Sequence, residues 1–312
     1  MNSIMLKRLS TILIGSFIYI AILIPSCSNT EHNDPAYLQE VEDWHARRIA
    51  SLKKPDSWLS LAGLFWLKEG KNSFGASEGN QIKFPPGKSL AKMGWFTLQD
   101  GSVSIHIKDD VPVYFNGHKI SSMKLRDDGG GEGDPDILQY RSLSWHIIKR
   151  GNRYGVRLKD SESELLGNFA SIERFPVDPK WKVIAFFQAY DTPKVIEVPN
   201  ILGTISEDPS PGKLTFVVKG QSYSLDPIAD PDDKRWFIIF SDATSGEETY
   251  GAGRFLYIDA PAKDNSAIID FNKAYNPPCA FTPYATCSLP PEQNHLPLRV
   301  TAGEKNFQGY EH

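Results

Sequence analysis

The chain has 312 residues, 40% hydrophobic and 12% aromatic, enough for more than one packed core. Its 34 Lys+Arg stand against 38 Asp+Glu, a net charge of −4 with no basic run. This argues against nucleic acid as a partner, which needs clustered cations to displace counterions, and against purely electrostatic adhesion to anionic headgroups.

The first segment has an export layout: Lys7 and Arg8, an apolar run from Leu9 to Ile24, then Pro25-Ser26-Cys27. A membrane-spanning helix needs about 20 predominantly apolar residues. Here sixteen are diluted by Ser10, Thr11, Gly15 and Ser16. Ile24-Pro25-Ser26-Cys27 resembles the lipobox of bacterial lipoproteins. That implies removal of residues 1–26 as a signal peptide, lipid on Cys27, and a protein held at the outer membrane or cell surface; an uncleaved anchor helix is the alternative. Removal leaves 32 basic against 38 acidic side chains, or −6.

Residues 27–57 read as a polar tether and an amphipathic helix. Asp34 is an N-cap, Pro35 suits the first helical position, and Pro55 marks the end. Tyr37, Leu38, Val41, Trp44, Ile49 and Leu52 recur at helical spacing, predicting a stem that packs on the domain after it. From 58 to 165 the pattern is β. Short runs at 81–84, 94–98, 102–107, 111–115, 142–149 and 154–159 are separated by turn signals, with Asn116-Gly117 a strong hairpin signal. This spacing suggests a sandwich. A short helical stretch at 161–169 marks the boundary.

Residues 166–312 form a second, mixed or antiparallel β domain, so the fold class is mainly β with one N-terminal helix. Its strands are expected at 182–189, 194–198, 213–219, 221–225, 235–241, 253–259 and 296–301. Gly220-Gln221 fits a two-residue hairpin loop. Trp236-Phe237-Ile238-Ile239-Phe240 reads as a central strand buried on both faces. Gly251 and Gly253 fit a bulge or a close backbone approach. Asn276 to Pro297 is too rich in proline for regular strands and reads as an extended surface loop.

With Cys27 lipidated, Cys279 and Cys287 remain, and a pair in an oxidising compartment is most simply a disulfide. A metal site shared with His295 is an alternative, although the spacing of seven residues exceeds that of zinc knuckles. A cysteine nucleophile with His295 as base is another. The acidic glycine loop with Asp127, Asp128, Glu132, Asp134 and Asp136 invites a calcium reading. Its spacing matches no defined calcium loop, and a solvated insertion is the expectation. No metal or cofactor is assigned.

The blocks Phe240–Arg254, Asp270–Cys279, Tyr284-Ala-Thr-Cys287 and Ala302-Gly-Glu-Lys305 resemble a bacterial and archaeal family, domain of unknown function 1684. Trp58-Leu-Ser-Leu-Ala-Gly-Leu-Phe-Trp66 is similar to its upstream part. That resemblance implies a domain and a boundary, and no activity. Residues 58–165, with the Asn116-Gly117 hairpin and the strands around 94–107, resemble a forkhead-associated sandwich. Phosphothreonine-binding members use an Arg after an early Gly and a Ser-x-x-His loop. Here Ala76 follows Gly75 and no Ser-x-x-His occurs in the corresponding loop, so the resemblance implies the fold without the phosphopeptide site.

No Gly-x-Ser-x-Gly, Ser-x-x-Lys or His-Glu-x-x-His motif is present. The candidate ligand-binding residues are Asp242, Thr244, Glu248, Tyr250, Arg254, Asp270, Asn272 and Asn276, in loops that flank apolar strands. They point to a small polar ligand or an envelope partner. The rival is a hydrolase or lyase using Glu248, Tyr250, Arg254 and Asp270. A bland reading competes with both, in which Asp242 and Thr244 cap a turn and Arg254 pairs with a carboxylate. A third possibility is a purely structural envelope protein.

Overall fold

The structure is a computed structural model that describes residues 34–129 and 133–309. The predicted signal peptide, the lipobox cysteine Cys27 and Glu132 lie outside the described residues. Helix α1 (Pro35–Leu52) starts where expected, with the Asp34 carboxylate accepting from Ala36 N at 2.9 Å. Among the described residues no helix is long and apolar enough to cross a membrane.

The first domain comprises β1 (Leu61–Trp66), β2 (Gly70–Gly75), β3 (Ile82–Lys83), β4 (Gly94–Gln99), β5 (Ser102–Ile107), β6 (Tyr114–Phe115), β7 (His118–Lys119), β8 (Ser122–Leu125), β9 (Leu138–Tyr140), β10 (Leu143–Arg150) and β11 (Arg153–Asp160). These form two sheets, ordered β1-β11-β10-β9-β6-β7 and β3-β2-β4-β5-β8. Alternating side chains of both fill one core, where Phe74 meets Phe96 at 4.8 Å and Phe84 meets Trp145 edge-on at 5.2 Å between ring centroids. The sandwich expectation holds. Asn116 and Gly117 turn β6 into β7 with φ of 48° and 78°, a pair of values that a twisted two-residue hairpin requires.

After the short helix α2 (Glu164–Asn168) come β12 (Lys182–Pro199), β13 (Ile205–Val218), β14 (Gln221–Leu225), β15 (Arg235–Asp242), β16 (Arg254–Asp259), β17 (Ser266–Asp270) and β18 (His295–Leu296). One sheet runs β14-β13-β12-β17 and the other β16-β15-β18, with a shared core between them. β15 is buried on both faces as its composition predicts. Trp236, Ile238 and Phe240 enter that core, while Ile239 and Phe237 pack on the other side.

Four expectations need correction. Helix α1 packs on the second domain, because its partners are there: Tyr37 meets Asp270, and Arg48 meets Glu304. The β13–β14 hairpin loop is Lys219-Gly220, one residue earlier than Gly220-Gln221, since both take positive φ, 51° and 77°. The expected strand at 296–301 shrinks to His295–Leu296, which pairs in parallel with β15. The proline-rich segment does not lie over the surface. Asn276, Cys279, Phe281, Ala285 and Cys287 are buried, and Thr286 accepts bonds from Arg150 and Arg157 of the first domain at 3.2 and 3.0 Å. Proline carries no N–H, so such a segment can enter the interior with fewer donors to satisfy. Gly253 is a close approach, as read: φ is 89°, and a Cβ there would sit 2.6 Å from the Phe240 carbonyl and from Pro290 Cγ.

Candidate functional site

The eight candidate residues separate into different environments. β15 ends at Asp242, and the turn after it folds back on its carboxylate. Asp242 Oδ1 accepts from Thr244 N at 2.7 Å and Thr244 Oγ1 at 2.6 Å, and Thr244 Oγ1 bonds Thr249 Oγ1 at 2.9 Å. Asp242 Oδ2 accepts from Arg254 Nη2 at 2.6 Å, with both side chains at 0% exposure. Arg254 also donates to the carbonyls of Val300 at 3.1 Å and Glu304 at 3.4 Å, and to that of Ala302. Burial pulls the Arg254 guanidinium down from its ordinary value, and Asp242 opposes that shift. This knot ties β15, β16 and the C-terminal segment together and leaves no face open to a solute.

Asn276 belongs to a neighbouring buried cluster. Glu304 accepts from Asn276 N at 2.7 Å and Arg48 Nε at 3.2 Å, while Arg48 Nη2 reaches the Asn276 carbonyl at 2.9 Å. Burial pushes the Glu304 carboxyl up, and Arg48 opposes that shift. Glu248 is exposed and pairs with Arg299. Tyr250 is half-buried against apolar neighbours, and burial raises its phenol. Glu248, Tyr250, Arg254 and Asp270 are therefore not brought together, since Arg254 is sealed inside while Glu248 faces solvent.

Asp270 has a different setting. Its Oδ1 accepts from Tyr37 OH at 2.8 Å and from Asn272 N and Nδ2, both at 3.2 Å, while Asn272 Nδ2 also reaches Tyr37 OH at 2.9 Å. Burial and the Asp270 charge push the Tyr37 phenol far above its usual value. Asp270 Oδ2 has no hydrogen-bond partner; the Lys273 ammonium lies 3.4 Å away as an ion pair.

Above Asp270 runs a groove of about 520 Å³ between α1, β16 and β17. Trp44 and Tyr257 supply aromatic surface, Lys182, Arg235 and Lys273 positive charge, and Glu40 and Asp259 negative charge. Lys273 also bonds Glu40, which holds that carboxyl below its ordinary range. The Arg235 guanidinium lies 4.8 Å above the Tyr257 ring. Aromatic faces beside charges of both signs suit a compact polar solute. Of this set, sequence reasoning found Asp270 alone. Glu40 and Trp44, four apart on one helix, are the available signal, but Trp44 also fits the apolar stripe of that helix.

A second cavity of about 500 Å³ includes Tyr190, Lys194, Lys213, Asp226 and Glu292. Tyr190 donates to Asp226 Oδ2 at 2.8 Å.

The remaining chemical candidates are committed elsewhere. Cys279 and Cys287 lie at disulfide distance, Cα atoms 6.1 Å apart. His295 bonds Ser241. The acidic loop is pinned at both ends rather than solvated throughout: Asp136 takes Arg126 Nε at 2.9 Å and Nη2 at 2.7 Å, and Asp128 takes Arg150 Nη1 at 2.8 Å and Nη2 at 2.9 Å.

Residues 167–305 match a family described as "Protein of unknown function (DUF1684)". No curated protein matches the chain. Among solved structures, the chain is similar to an uncharacterised protein of Haloarcula marismortui determined by solution NMR. Identity is 29% over 46% of this chain and 80% of that one, with a TM-score of 0.39. A structure from work on phosphothreonine-dependent forkhead-associated domain interactions aligns at 12% identity. It covers 31% of this chain and 92% of that one, with a TM-score of 0.21.

Proposed function

Because residues 167–305 belong to the DUF1684 family, whose activity is unknown, the function must be argued from the site, and we propose that this is an exported cell-envelope protein, lipid-anchored through Cys27, that binds a small polar ligand in the groove above Asp270. The observation that carries the reading is the groove itself. It is lined by two aromatic rings, three cations and three carboxylates. Rings would stack on the ligand's apolar face, and Lys182, Arg235 and Lys273 would take its acceptors. Glu40 and Asp259 would take its donors. Asn272 and Tyr37 act behind Asp270, fixing the carboxylate's orientation.

The test is a thermal-shift screen of the mature protein against amino sugars, sugar phosphates and short zwitterionic peptides. At least one class should raise the unfolding temperature, and Trp44→Ala and Lys273→Ala should abolish that rise. A screen without any shift, or a shift unchanged in both variants, would contradict the reading.

A further inference from the structure

The sheet β14-β13-β12-β17 buries one face in the core and carries an apolar patch on the other, among polar side chains such as Lys182, Thr215 and Ser222. Val183, Ala185, Leu214, Phe216, Ala267 and Ile269 point into the core. The alternate positions point out, where an antiparallel sheet facing water is normally polar. Instead Ile184 is 71% exposed, Phe186 58%, Val217 60% and Ile268 46%. The register makes these neighbours. Ile184 pairs with Ile268 on β17, and the pairing of Ala185 with Phe216 puts Val217 beside Ile184 on β13. Phe186 follows two residues along the same face. A contiguous exposed apolar patch of this kind marks an interaction surface.

We propose that this face docks on the lipid bilayer of the envelope. The inference rests on the lipid-anchor reading of Cys27. Helix α1 covers one end of the face, where Lys182 lies 4.4 Å over the Tyr37 ring. Its first residues border the open part. Asp34 and Tyr37 line a shallow depression of about 510 Å³ together with Lys180, Lys182, Ile184 and Ile268. Cys27 precedes Asp34 by seven residues, a reach of at most ~25 Å fully extended. A lipid on Cys27 therefore keeps the bilayer within that reach of Asp34, at the edge of this patch. Lys180 and Lys182 stand at its rim, at the level of anionic headgroups, and the polar groove opens beside it, sharing Ile268 and Lys182. The acyl chains supply retention and the face sets orientation, presenting the groove to solutes at the membrane surface.

The test uses the mature protein, reconstituted through its own lipid into vesicles of phosphatidylethanolamine and phosphatidylglycerol. An environment-sensitive fluorophore is placed at Ile184→Cys and, as reference, at Lys119→Cys on β7. The Ile184 probe should shift to the blue and lose intensity severalfold with nitroxide-labelled lipid, while the Lys119 probe changes little. Two equally unquenched probes overturn the proposal. A blue shift without quenching, together with a doubled mass in sedimentation, overturns it in favour of a second copy on this face. An intact mass without acyl groups on Cys27 would refute the anchor alone. Flotation of that unlipidated chain with the same vesicles then decides. Binding lost in the double variant Ile184→Asp/Phe186→Asp upholds docking, and absence of binding overturns it.

Discussion

The Asp242–Arg254 knot and the groove above Asp270 both set carboxylates against cations, and both lie in the second domain. In the first, Arg254 meets one carboxylate and three carbonyls through its two terminal nitrogens, its Nε is buried without a partner, and the side chain has no exposed surface. In the second, aromatic faces and charges of both signs border open space. A buried network closed to solvent specifies structure, and charges and rings that line a concave surface are where a solute can substitute for water. Composition does not separate the two; accessibility does.

The largest effect expected is at the knot. Arg254→Met leaves Asp242 buried without its cation and should cost ~3–5 kcal/mol in urea unfolding. A loss below about 1 kcal/mol, the range of exposed ion pairs, would break the comparison. Next, Cys279→Ser with Cys287→Ser should cost ~2–3 kcal/mol through the freed chain between them. That loss should disappear when the parent is measured under reducing conditions.

A pH series separates the buried Glu304 cluster beside the knot from the groove by sign. Burial raises the Glu304 carboxyl in the fold, so the native state holds that proton more tightly than the unfolded chain. Its contribution is most favourable below the unfolded value and declines as pH rises through the folded one. Lys273 lowers the Glu40 carboxyl, so its contribution is present above the unfolded value and lost as pH falls through the folded one. Relative to the parent, Glu304→Gln should gain stability as pH rises above the ordinary carboxylate value of 4.5, and Glu40→Gln should lose it as pH rises toward that value from below. Parallel slopes in thermal melts would contradict the assignment. The smallest effect is that of Lys273→Ala, within ~1 kcal/mol for a partly exposed ion pair, although it should remove the ligand-induced thermal shift.

Much of the fold was legible because strands announce themselves locally. Alternation at 94–107, Asn116-Gly117 and the apolar run 236–240 each depend on near neighbours. Asp34-Pro35 likewise marked the helix start. The partner of that helix was not legible, since Arg48 meets Glu304 across 256 positions. Nor was the burial of 276–297, whose prolines signal irregular backbone without saying whether it runs outside or between domains. The site shows the same limit. Asp242, Arg254 and Asp270 were all flagged as polar residues flanking apolar strands, but only packing decides that Arg254 is sealed and Asp270 borders a groove completed by α1.

The most direct measurement is hydrogen–deuterium exchange of the mature protein with and without the small-molecule fraction of its own cell envelope. The account predicts added protection in peptides spanning 40–44, 257–259 and 268–273, and none in 242–254. Protection confined to 242–254, or absent from the groove peptides, would contradict it.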